Sequence, residues 1–253
     1  SYLGRFTLPE FLGLPTGVVV LLVVLMAIFM FWGAEQLERI FGGVDLSKAP
    51  RLRYMGAGAL VFLGIGALVI DQPTSQDKWA MLAPEKEPLL VEDRAYQIHP
   101  GELLDLMHND KIKLFLLDRR SEADYNLLHL VDSRHTPVDT LPEQIPNFRL
   151  EPSNAVFVLL SNHEEVATEA WKTMVAESVH NVYILEGGVN YWLEVFSAQD
   201  PALVQPTIHP GEDQIHHEFS AAIGGRHALS DPDPHDYHLE YTSKVKLELK
   251  KGP

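Results

Sequence analysis

The sequence predicts an α/β domain with a parallel sheet flanked by helices, preceded by a two-helix transmembrane hairpin and followed by a long irregular tail. Three observations carry this. Two apolar stretches without a charge stand at about 11–34 and 54–70. Between 98 and 196, short apolar runs alternate with segments of helical period, the pattern of parallel strands covered by helices. From 199 onward the chain is rich in Pro, Asp and His and has no sustained period.

Each apolar stretch is long enough to cross a hydrocarbon core of roughly 30 Å. A secretory signal has a shorter apolar region and a small-residue cleavage site, and a second apolar stretch so soon after the first argues for two spans instead. Neither stretch holds a His, Asp, Glu, Lys or Arg. Helices of this kind anchor or pack against other helices; ion paths and haem ligation require ionisable groups or histidine. The connection from 35 to 53 carries Arg39, Lys48, Arg51 and Arg53, against Arg5 before the first stretch and Lys78 and Lys86 after the second. That bias places the connection in the cytoplasm and the soluble part on the periplasmic side of a bacterial inner membrane.

Residues 71–95 are Pro-rich and charged without a period, and read as a linker leading to a domain at 96–198. Pro100 opens a short helix over 98–110, and KIKLFLLD (111–118) is a buried strand. SEADYNLLHL (121–130) has a Ser cap and an acidic first turn, the start of a second helix. RHTPVD (134–139) is a short strand broken by Pro137, and NAVFVLL (154–160) is the central strand. Val166, Ala170 and Met174 share one face of a helix over 164–178, and NVYILEGGVNYWLEVF supplies a strand, a Gly-Gly turn and a last helix. Trp171 and Trp192 read as core or domain surface, since aromatics at helical spacing usually pack.

The whole chain carries a net charge of −15, and residues 71–253, with 15 basic and 31 acidic side chains, carry −16. Such a surface excludes nucleic acid as a partner and disfavours anionic lipid.

Within the domain, LLDRR (116–120), DYNLLHLVDSRHTP (124–137) and VYILEGGVNYW (182–192) follow one another in a way that resembles the rhodanese, or sulfurtransferase, family. The resemblance implies that Asp118 and Arg120 are the family's Asp-x-Arg, which hold loops together, that His129 is its structural histidine, and that the chemistry belongs at the end of the central strand. There the family has a nucleophilic Cys, and a loop whose N–H groups and Arg stabilise a persulfide or oxyanion. This chain has no cysteine. The alignment puts Ser161 at the Cys position, Glu164 where the loop has Gly and Val166 where it has Arg; a one-residue shift puts Leu160 or Asn162 there instead. Ser161, Asn162, His163, Glu164, Glu165 and Val166 are thus read as a degenerate active-site loop. Serine chemistry with His163 as base is opposed by the carboxylates of Glu164 and Glu165.

The tail, 199–253, is expected to gain order on a partner's surface, because fixing a residue's backbone costs roughly 1–2 kcal/mol and a small core cannot hold fifty irregular residues. Ile215, Phe219, Ile223, Tyr237 and Tyr241 are the candidate partner-binding anchors, and Val245, Leu247 and Leu249 alternate as a strand would. His209, His216, His217, His227, His235 and His238 crowd the same segment without the tight spacing of a zinc or copper site, so no metal and no cofactor is expected. The reading is a non-catalytic accessory subunit of a larger membrane complex of respiratory or photosynthetic type, in contact with other membrane-protein subunits and with the bilayer. Two alternatives are a periplasmic module that binds a sulfur compound or another anion, and a metal-binding periplasmic protein.

Overall fold

Helix α1, Thr16–Gly42, is 27 residues long, about 40 Å at the α-helical rise. Its segment Gly17–Ala34 is long and apolar enough to cross a membrane, and Phe29, Met30, Phe31 and Trp32 are exposed on it. The structure, a computed structural model, describes residues 16–42, 56, 58, 59, 61, 62, 73–197 and 213–246, and the chain divides into two units between Pro73 and Thr74. Of the second expected span, 54–70, only positions 56, 58, 59, 61 and 62 are described, and they are helical. The rest of that span and the basic connection at 43–53 lie outside the described residues, so one apolar helix is seen rather than a two-helix hairpin.

The second unit begins with a correction. The segment read as a linker contains helix α2, Ser75–Val91, with a reciprocal cap between Thr74 and Asp77 and two internal prolines, Pro84 and Pro88. Each proline removes a helical hydrogen bond, and packing offsets the loss. The Trp79 ring meets Trp171 edge-on with centroids 5.7 Å apart, Leu90 is buried in the core, and Lys78 pairs with Glu177 at 2.7 Å.

Then follow β1 (Gln97–Ile98), α3 (Pro100–Met107), β2 (Lys113–Asp118), α4 (Glu122–Leu127), β3 (Arg134–His135), α5 (Leu141–Phe148), β4 (Ala155–Leu160), α6 (Glu165–Ala176), β5 (Val182–Leu185) and α7 (Gly188–Phe196). The strands form one parallel sheet in the order β1-β5-β4-β2-β3, with Leu116 opposite Val158 and Phe157 opposite Val182. Every residue of the central strand β4 is buried. Its side chains alternate between two cores, as a strand's period of two requires. Val156, Val158 and Leu160 join Leu104, Trp192 and Phe196 on one face; Phe157 and Leu159 join Phe148, Trp171 and Met174 on the other. The second face is the one to which α2, α5 and α6 contribute.

The first face is completed by the tail. From 213 to 246 the chain runs over its own domain in extended segments and three short 3₁₀ turns, at Gly224–Arg226, Ala228–Ser230 and Pro234–Asp236. Trp192 donates its indole N–H to the Leu229 carbonyl at 2.8 Å, and Tyr237 its hydroxyl to the Phe196 carbonyl at 3.1 Å. The Glu102 carboxylate, buried on α3, accepts from the Ser243 hydroxyl and from the Lys244 and Val245 N–H groups, all at 2.8 Å. Residues 241–246 form no strand; Leu247 and Leu249 lie outside the described residues.

Candidate functional site

β4 delivers the loop. Its last residue, Leu160, leads into Ser161 and Asn162, both completely buried, and α6 starts at Glu165. The Ser161 hydroxyl donates to the His163 carbonyl at 2.5 Å and accepts the Ala167 N–H at 3.2 Å. It therefore ties the loop to the first turn of α6 and faces inward, toward the backbone of His163 and not its ring. A hydroxyl so placed has both its bonds with the backbone of its own loop and helix.

The loop's carbonyls have a second task. Ser161 and Asn162 accept the Val189 and Asn190 N–H groups at 2.8 and 3.1 Å, which caps the N-terminus of α7. Gly187 and Gly188 make this approach by adopting left-handed φ values of +63° and +67°. A Cβ on Gly188 would stand 2.4–2.5 Å from the carbonyl oxygens of Ser161, Asn162 and His163, so the Gly-Gly pair is what lets the last helix close on the loop.

Carboxylates line the loop. Glu164 accepts the Gly187 N–H at 2.7 Å and pairs with Arg94 at 2.6 Å; Arg94 also reaches Glu186 at 3.4 Å. From the tail, the Asp213 carboxylate lies near the His163 backbone N–H, which acts to lower its pKa. Asp213 keeps an exposed flank, yet partial burial, together with Asp124 and Glu165 nearby, pushes its carboxyl above the usual range. Glu165 is exposed at the start of α6 and Val166 is half-buried; no guanidinium enters the loop from that position.

Two amide side chains clasp the tail onto this loop. Asn162 donates to the Asp124 carboxylate and to the Asp213 carbonyl, both at 2.9 Å. Asn190 donates to the Gln214 carbonyl at 2.9 Å and accepts the His216 N–H at 2.8 Å. Beside them the Nε2 atoms of His163 and His216 are 3.2 Å apart. Asn190, Asp213 and Gln214 were not legible as site residues, and His216 was weighed only as one of the tail's crowded histidines. Asn190, next to the Gly-Gly turn, offered a signal as a polar residue in the first turn of a largely apolar helix.

Behind the loop, Asp118 and Arg120 form a completely buried pair, Oδ2 to guanidinium 2.6 Å, and Arg120 also donates to the Leu128 carbonyl at 2.7 Å. The pair therefore fixes the chain between β2 and α4, as expected of it. Arg119 donates to the carbonyls of Thr136, Pro137 and Val138, and burial pushes its guanidinium down to about 10. His129 stacks on Tyr125 with centroids 4.0 Å apart, and Gly224 and Gly225 of the tail rest against its ring.

The candidate anchors of the tail turn toward their own domain. Ile215, Phe219 and Tyr237 pack against the core, the Ile223 N–H bonds to the Leu127 carbonyl at 3.2 Å, and the Tyr241 hydroxyl donates to Asp105. The reason is that the first face of the sheet presents Trp192 and Phe196, which the tail covers. His209 lies outside the described residues, and among those described no group of three or more His, Asp or Glu is gathered as a metal would need.

Residues 99–195 match the sequence model of the family described as Rhodanese-like domain. This stretch is a rhodanese-like domain. The match covers less than half of the chain and does not extend to α1 or to the tail. No curated protein and no solved structure gives a significant match. Members of the rhodanese family are usually sulfurtransferases, and in this rhodanese-like domain the residue at the end of the central strand is a buried serine.

Proposed function

We propose that this chain is a membrane-anchored rhodanese-like protein that works by contact and not by sulfur transfer, as an accessory subunit of a larger membrane assembly of respiratory or photosynthetic type. One observation carries the reading: Ser161 stands at the end of β4, completely buried, with its hydroxyl held between the His163 carbonyl and the Ala167 N–H. Sulfur transfer needs a thiolate that reaches substrate. Beside that position the Glu164 and Asp213 carboxylates disfavour an oxyanion, and the chain has no cysteine to take over the role.

The contact role draws on α1. Its apolar side chains are exposed and it contains no ionisable group between Gly17 and Ala34, which suits a bilayer and neighbouring helices. The basic residues of the connection at 35–53 support a soluble domain on the extracytoplasmic side of a bacterial inner membrane. Because the tail's apolar anchors are engaged by its own domain, the partner surface in this reading is α1 together with the acidic exterior of the domain.

The test is transfer of sulfur from thiosulfate to cyanide by the purified full chain in detergent. Thiocyanate formation is expected to equal that of a protein-free control; turnover above the control, first order in protein, defeats the reading.

A further inference from the structure

We propose that the tail segment Asp213–His217 is an acid-opened latch over the loop at the end of β4. The imidazoles of His163 and His216 hold each other only while at least one is neutral, and the ring of His217 stays docked only while uncharged.

The latch has a built geometry. Its backbone is gripped by Asn162 at Asp213 and by Asn190 at Gln214 and His216, and Ile215 and Phe219 on either side pack into the core. At its centre the two Nε2 atoms lie 3.2 Å apart, with the rings crossed at 61°. That distance is an N–H···N hydrogen bond, which needs one ring to donate and the other to offer a bare nitrogen. One added proton is tolerated there; two place like charges on facing N–H groups. His217, next in the chain, is 6% exposed, and its Nδ1 is buried without a hydrogen-bond partner.

The sign follows from which state binds protons. Burial pushes the His217 imidazole below its usual range, with Glu194 acting against this and His216 with it. The released tail, with an ordinary imidazole near 6.5, takes up the proton first. The closed latch is therefore favoured above that range and loses its advantage as the pH falls from about 6.5 through the lowered value of His217. Among the described residues, Asp124 on α4 and Glu165 on α6 act on the Asp213 carboxyl, and Glu194 on α7 acts on the His217 ring. Asp213 acts in the opposite direction: its carboxyl is raised when the latch is closed, so its protonation favours closure as the pH falls through the raised value toward the ordinary carboxylate one. Opening is thus a weakly acidic event. It uncovers the Asn162 and Asn190 side chains, whose amides the tail now occupies.

Hydrogen exchange of the full chain in detergent, at about pH 7.5 and about pH 5.5 with rates corrected for the intrinsic effect of pH, tests this. Protection of amides 213–219 is expected to fall by about tenfold or more at the lower pH, while β4 keeps its protection. In the double variant His163→Gln, His216→Gln the part of that fall due to the pair is expected to disappear, leaving a smaller fall from His217. If the double variant fails to close at neutral pH, the ring resonances of His163 and His216 in the wild type decide, and their midpoint must lie within the interval over which protection is lost. Unchanged protection in the wild type overturns the proposal. So does simultaneous loss in β4, an undiminished fall in a double variant that closes, or a midpoint outside that interval.

Discussion

At Gly188 a methyl group would stand 2.4–2.5 Å from three loop carbonyls while the backbone holds a φ of +67°, so two independent constraints meet in one residue. Gly188→Ala is expected to destabilise the domain by about 3 kcal/mol or more, read as a lower denaturation midpoint at unchanged slope. Ser161 gives the complementary case. Ser161→Cys adds the one thiol the chain would contain, in a site with no measurable exposure. It is expected to remain inactive with thiosulfate and cyanide, and to react with maleimide only after denaturant is added; rapid labelling of the folded variant would show the loop to be open. The buried pair of Asp118 and Arg120 predicts that Arg120→Ala costs about 3–5 kcal/mol, because the remaining carboxylate is left uncompensated away from water. At this scale the sequence was informative about positions and silent about directions. The order of Asp118, Arg120 and the Gly-Gly turn located the loop and showed the missing sulfur. That Ser161 faces inward, and that Glu164 caps Gly187, depends on contacts between residues far apart in the chain.

Among the elements, strands and amphipathic helices were legible because their apolar periods are uninterrupted: β4 lies at 155–160 where the run 154–160 stood, and α6 at 165–176 within 164–178. Two helices escaped. Both α2 and α5 contain internal proline, at Pro84 and Pro88 and at Pro146, and local breaker rules outweigh a packing interaction that no window of sequence contains. The tail was misjudged for a related reason. The ordering cost was weighed against a core counted without it, whereas the first face of the sheet leaves Trp192 and Phe196 to be covered. Ile215, Phe219, Tyr237, Leu239 and Val245 cover that face. Deleting residues 213–253 is accordingly expected to destabilise the domain, by on the order of 5 kcal/mol from the apolar contacts alone, and to lower its melting temperature; an unchanged melting curve would mean that the domain closes its core without the tail.

For the whole molecule, the features that bear on location are the uncharged segment Gly17–Ala34 of α1 and the basic residues of 35–53, set against a soluble part of charge −16. With the connection in the cytoplasm, protease added to intact spheroplasts is expected to degrade the domain from Thr74 onward and to spare 35–53; a protected domain reverses the orientation. The central claim is that contact within a membrane assembly is the protein's work. Its most direct measurement is the mass of the native particle, obtained by extracting untagged protein from its own membranes in mild detergent and separating the extract by native electrophoresis. The account predicts that the 28.4 kDa chain migrates in a larger, fixed-stoichiometry complex with other membrane subunits, and stays there when Ser161, Asn162 and His163 are changed to alanine. Migration of the unaltered chain as a free monomer, or its release by those loop substitutions while the domain remains folded, would contradict it.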